Sequence, residues 1–184
     1  MITKRKYPWI GIQNWTNTLF LHWPVAPEII RPFVPEAFHL DLFDDKAWIS
    51  FVLFQGHQTR GRMMPRHLSL PTLHQLNIRT YVYYQENGER GVYFIKVYTN
   101  SIVSIFGART FYQLPFHYAS FFEDHWNGIQ LSDKNGKIFS VEYEPVINEE
   151  GEAIGVVFAT MHHVDEGRVG LFIPIDYFYE QATE

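Results

Sequence analysis

Apolar and polar positions alternate with a period of two along much of the chain. In Thr80-Tyr81-Val82-Tyr83-Tyr84 and Val92-Tyr93-Phe94-Ile95-Lys96-Val97-Tyr98, β-branched and aromatic side chains dominate, which suits a pleated, half-buried strand. The two runs flank residues 85–91 and predict one hairpin. Asp44-Asp45, Asn87-Gly88, Asn127-Gly128, Asn135-Gly136 and Glu150-Gly151 fall between apolar runs, and Asn-Gly in such a place is the strongest short-range hairpin signal. The Asp133-Lys134-Asn135-Gly136 segment predicts a turn joining residues 129–131 to 138–143. Residues 47–54, 154–161 and 169–173 read as further strands.

Helical spacing is confined to two places. Residues 27–31 begin with Pro27, a residue suited to the first helical position, and Pro32 and Pro35 keep that helix short. Thr99 or Asn100 can cap a second helix running to about Tyr112. Ile102, Ile105, Phe106 and Arg109 share one of its faces, and Pro115 stops it. Residues 60–71 carry three basic residues and two prolines without a period and read as a loop. With no repeat and no linker, residues 1–184 read as one domain. The fold class predicted is mainly β (β-rich α+β): a curved antiparallel sheet with two short helices, closing toward a barrel so that its edges are covered.

Composition narrows the function classes. The chain of 184 residues is 46% hydrophobic and 17% aromatic, enough for one buried core and unlike a disordered chain. Its net charge of −5 argues against a basic nucleic-acid-binding surface. The absence of cysteine removes disulfides, a thiolate nucleophile and Cys-ligated metal. No run approaches the ~18 apolar residues of a membrane span, and the N-terminal Lys4-Arg5-Lys6 cluster lacks the apolar core of a signal peptide. A cytoplasmic protein with no nucleic-acid or membrane partner is expected.

Motifs for chemistry are few. The nine histidines include no His-x-His and no His-Glu-x-x-His, and His162-His163 on a strand would point to opposite faces. His57, His67 and His74 lack ligand spacing, so no metal is expected. Gly-x-Ser-x-Gly and the glycine-rich phosphate loops are also missing, and no cofactor is expected. Arg109 draws notice because a charge on a core-facing stripe must find an anion or an internal partner. Glu142 and Glu144 are the bland candidates for that partner. Asn77, Arg79 and Tyr81 share one strand face by the period of two, either lining an interior or facing water. His117 shares a face with Ala119 and Phe121. His22 alternates within Phe20-Leu21-His22-Trp23, where a histidine is more often a satisfied core residue than a catalyst.

Several segments together resemble the YqjF-like family of uncharacterised bacterial proteins. They are Leu19-Phe20-Leu21-His22-Trp23-Pro24-Val25 with Pro27-Glu28 and Arg31-Pro32, then Leu76-Asn77-Ile78-Arg79-Thr80-Tyr81-Val82, Gly91-Val92-Tyr93-Phe94, Ala108-Arg109 and Leu114-Pro115. The resemblance covers about residues 13 to 145, and the residues after about 148 diverge from the family pattern. More distantly, residues 91–115 resemble acetoacetate decarboxylase, which implies that enzyme's β-barrel or cone enclosing a pocket. In that enzyme two lysines follow the proline matched by Pro115, and one forms a Schiff base. Phe116 and His117 stand at those positions here, so the resemblance does not carry Schiff-base decarboxylation over.

The function expected is a β-barrel binding a small anionic, carboxylate-like ligand. Arg109, Arg79, Asn77 and Tyr81 are the candidate ligand residues. An alternative is a lyase- or hydrolase-type acid/base enzyme using His117 or His22. A second alternative is a filled, structural barrel that forms a homo-oligomer.

Overall fold

The computed structural model describes residues 11–62, 64–65, 67–123, 128–147, 153–162 and 172–174, with side chains as far as Val141 apart from those of Lys137 and Ile138. Five strands precede the second helix: β1 (Gly11–Val25), β2 (Phe38–Leu40), β3 (Ala47–Gly61), β4 (Leu73–Tyr84) and β5 (Arg90–Thr99). Helix α1 (Pro27–Ile30) runs into a 3-10 turn, and α2 spans Ile102–Tyr112. Then follow β6 (Phe116–Tyr118), β7 (Ser120–Glu123), β8 (Gly128–Asp133), β9 (Gly136–Ile147), β10 (Ala153–His162) and β11 (Phe172–Pro174). No described helix is long and apolar enough to cross a membrane.

The strands form two sheets. The first runs β1-β3-β4-β5-β11, with β2 added beside β4 and β6 beside β5. The second runs β10-β9-β8-β7. The β4–β5 and β8–β9 hairpins stand where the sequence pattern puts them. Neither sheet closes on itself among the described residues, so the barrel expected from the strand pattern is here a pair of open sheets. Strand β3 continues to Gly61 and takes in the start of the segment read as a loop. Of the strand expected at residues 169–173, only 172 and 173 lie among the described residues, in β11.

The core lies between the sheets. Phe51, Leu53, Leu76, Ile78 and Tyr98 of the first sheet pack with Leu131, Phe139 and Val141 of the second. The Phe51 and Phe139 rings stack with centroids 5.7 Å apart. A smaller cluster on the opposite face of β5 joins Val92, Phe94 and Val97 to Ala108 of α2 and to Phe116. One irregularity sorts these faces. Asn77 and Ile78 pair with Val97 and Lys96, but Arg79 pairs with Phe94, so Ile95 is an extra residue in β5. This bulge turns Lys96 toward the core side, where its Nζ lies 5.3 Å from the centre of the Tyr98 ring.

Helix α2 departs from expectation in two respects. Its cap is Ser101, whose Oγ accepts from the Ser104 backbone N–H at 3.2 Å, rather than Thr99 or Asn100. Its only buried residue is Ala108; Ile102 and Phe106, read as core-facing, are 71% and 67% exposed. The helix is apolar nearly all round, so its spacing cannot say which face turns inward.

Candidate functional site

Three strands bring polar side chains together on the face of the first sheet that points away from the second. Register places His22 of β1 opposite Ser50 of β3, Ser50 opposite Arg79 of β4, and Arg79 opposite Phe94 of β5. Opposed residues project to one face, so these four form a row across the sheet, ending at the cluster under α2. Tyr81 follows Arg79 two positions along β4 and joins the same face.

The row is internally connected. The Tyr81 hydroxyl lies 3.3 Å from His22 Nδ1. The Arg79 guanidinium and the Tyr81 phenol also interact, and Tyr81 partly offsets the desolvation of Arg79. Phe20, His22 and Tyr81 are stacked in sequence, each neighbouring pair with ring centroids 6.3 Å apart. The Arg79 guanidinium lies 5.9 Å from the Phe20 ring centre.

Burial sets the electrostatics. Arg79 is only 8% exposed, and desolvation lowers its pKa despite the partly offsetting contact with Tyr81. His22 reaches solvent, yet desolvation, and secondarily the Arg79 charge, lower its pKa below the ordinary 6.5. The ring is therefore neutral at pH 7 and can accept a proton. Asn77 is fully enclosed on the same face and accepts from Gln75 Nε2 at 2.7 Å. The Ser50 Oγ is buried and hydrogen-bonds no described residue.

The other candidates stand elsewhere. Arg109 is exposed rather than core-facing; its Nε donates to the Phe116 carbonyl at 2.7 Å. The acids considered for it, Glu142 and Glu144, have side chains outside the described ones. His117 pairs with Tyr98 in the parallel β5–β6 ladder, their ring centroids 5.8 Å apart. Register puts it on the side of the sheet opposite to Arg79, at the β6 edge, where Arg109 Nη2 comes within 3.5 Å of its Nδ1. The structure brings Arg79, Tyr81, Asn77 and His22 to one face and separates them from His117. His57 bonds Thr16 and Thr72, and His74 bonds Glu123 and Asn100. Among the described residues no three His, Asp or Glu side chains gather as a metal site.

Nothing in the sequence marks Ser50 or Phe20 as a site residue. Ser50 carries no nucleophile motif, and its place in the row follows only from β1–β3–β4 register. The period of two did put Asn77, Arg79 and Tyr81 on one face.

The open, mainly antiparallel sheets and their two short helices define an acetoacetate-decarboxylase-like fold. The crystal structure of acetoacetate decarboxylase from Legionella pneumophila superposes with a TM-score of 0.57 over 97% of this chain and 83% of that one, at 14% identity. The enduracididine biosynthesis enzyme MppR complexed with pyruvate superposes with a TM-score of 0.50 over 72% of this chain and 56% of that one, at 8% identity. At such identities the likeness carries the fold alone. The chain itself belongs to the DUF2071 family of uncharacterized conserved proteins, whose pattern spans its residues 12–164. It is 38% identical over 128 residues to the uncharacterized protein YqjF of Bacillus subtilis, which covers 70% of this chain. The chain spans 48% of the length of that relative.

Proposed function

We propose that this protein binds a small organic carboxylate on the Arg79 face of its first sheet. The observation that carries the reading is Arg79 itself. Its guanidinium carries the positive charge on this face, beside the Tyr81 hydroxyl and the Phe20 ring, and its planar fork suits a carboxylate. Tyr81 and His22 add accessible hydrogen-bonding groups beside it, and the exposed Phe20 ring adds an apolar wall. MppR, which shares the fold, has been solved with pyruvate, a carboxylate of this size. Arg109 points to solvent from α2 and is held by the Phe116 carbonyl, and His117 lies on the opposite face by register. The main ligand contacts therefore fall to Arg79 and Tyr81, with Asn77 enclosed beneath them. Schiff-base decarboxylation is not part of it, since Phe116 and His117 occupy the two positions where lysines are needed.

Calorimetry with acetate, pyruvate, acetoacetate and pentanoate tests the proposal. At least one is expected to bind, and Arg79→Met is expected to abolish that binding while the circular dichroism spectrum stays native. Equal affinity in folded Arg79→Met would overturn it.

The Tyr81–His22 pair favours a second reading, in which a bound keto acid loses a proton to His22 without covalent catalysis. Deuterium uptake at the methyl carbon of pyruvate in D2O, through its enolate and lost in His22→Gln, is the expected sign. No uptake above the solvent rate leaves binding alone.

A further inference from the structure

The polar face continues past Tyr81 into a cleft of about 360 Å3 lined by Asp41, Leu42, Phe43, Trp48, Tyr81 and Arg90. Asp41 extends the β2–β4 ladder, donating its backbone N–H to the Tyr81 carbonyl at 3.0 Å. This sets Asp41 directly across from Tyr81, and its side chain is 25% exposed. The Phe43 and Trp48 rings meet edge to face with centroids 6.3 Å apart, and Tyr81 supplies a third ring. Arg90 reaches Asp41 with its Nε 3.5 Å from Oδ2, but its side chain is 69% exposed. An ion pair that long and that wet holds weakly.

One carboxylate among three aromatic rings is the chemistry that recognises an alkylammonium group: ring faces attract the cation and the acid neutralises it. Two positions back along β4 lies Arg79, at a strand rise of roughly 6.6 Å for two residues. The two charges therefore sit on one face, opposite in sign, with Tyr81 between them. We propose that the cleft takes the ammonium end of a small ω-amino acid whose carboxylate lies at Arg79. The carboxylate half rests on the function proposed above; the ammonium half stands on the cleft alone. Binding displaces the Arg90 guanidinium from Asp41 into water. An α-amino acid holds its charges too close together to reach both ends, whereas a straight chain of about five carbons spans them.

Calorimetry on the full chain with pentanoate, 5-aminopentanoate and pentylammonium tests this. The amino acid is expected to bind about tenfold more tightly than pentanoate. Asp41→Asn, at the surface, is expected to erase that preference and leave pentanoate affinity unchanged. Trp48→Leu is expected to weaken the preference independently. Equal affinity for the two acids, or a preference that survives both substitutions, overturns the proposal. Asp41-dependent binding of pentylammonium without any pentanoate binding supports the cleft and overturns the Arg79 reading instead. Pentanoate binding with no Asp41-dependent gain for either amine overturns the cleft alone.

Discussion

The Tyr81 hydroxyl and His22 Nδ1 lie 3.3 Å apart although their strands, β4 and β1, are separated by β3. They meet because the residue beneath them in the row is Ser50, which is small and fully buried. A branched side chain there would wedge between them. Ser50→Leu is expected to cost on the order of 1–3 kcal/mol through overpacking and to break the Tyr81–His22 contact. Ser50→Ala is expected to be neutral or stabilising, since it removes a hydroxyl that bonds no described group. Thermal unfolding of the two variants distinguishes them; a large loss in Ser50→Ala would show that the hydroxyl has a structural partner.

The His22 ring should titrate below the ordinary 6.5, chiefly because of desolvation and secondarily because of Arg79. The unfolded chain then binds the proton more tightly than the folded one. The His22 contribution to stability is accordingly full above about pH 6.5, declines as pH falls through that value, and levels off below the folded pKa. An NMR titration of the ring and the stability difference between wild type and His22→Gln across this range measure both. In Arg79→Met the ring should titrate closer to 6.5. A wild-type midpoint above it contradicts the burial argument.

Phe139 is fully buried and stacks on Phe51 across the gap between the sheets. Phe139→Ala should cost about 3–5 kcal/mol. Denaturant unfolding is the measurement, with a fall in midpoint and an unchanged slope expected. A loss under about 1 kcal/mol would mean that the second sheet contributes little to the core.

Arg109 sits on the helix surface and holds the Phe116 carbonyl. Arg109→Ala should cost no more than about 1 kcal/mol and leave carboxylate affinity within twofold of wild type. A tenfold drop in affinity would return Arg109 to the ligand site.

The division between what the sequence showed and what it did not follows from physical range. Alternation and turn chemistry are local, so the β4–β5 and β8–β9 hairpins and the shared face of Asn77, Arg79 and Tyr81 could be read directly. The pairing of β1 with β3 is not local, and it alone sets His22 beside Ser50. Within β1, Asn17 adopts φ 49° and the register shifts between Thr16 and Leu19, so no continuous period marks that strand. The orientation of α2 was hidden for the opposite reason: nearly every position is apolar, so Arg109 seemed buried when Ile102 and Phe106 beside it face solvent.

The extra residue in β5 has a consequence for charge. Were the Arg79–Phe94 register continued with Ile95 kept and paired to Ile78, Lys96 would fall opposite Asn77, on the same face as Arg79. Two cations would then share that surface, and a monoanion would have to choose between them. The bulge at Ile95 thus keeps the face singly charged. Straightening the bulge while keeping Ile95 in the ladder is the change by which this fold could exchange a ligand with one carboxylate for a ligand with two.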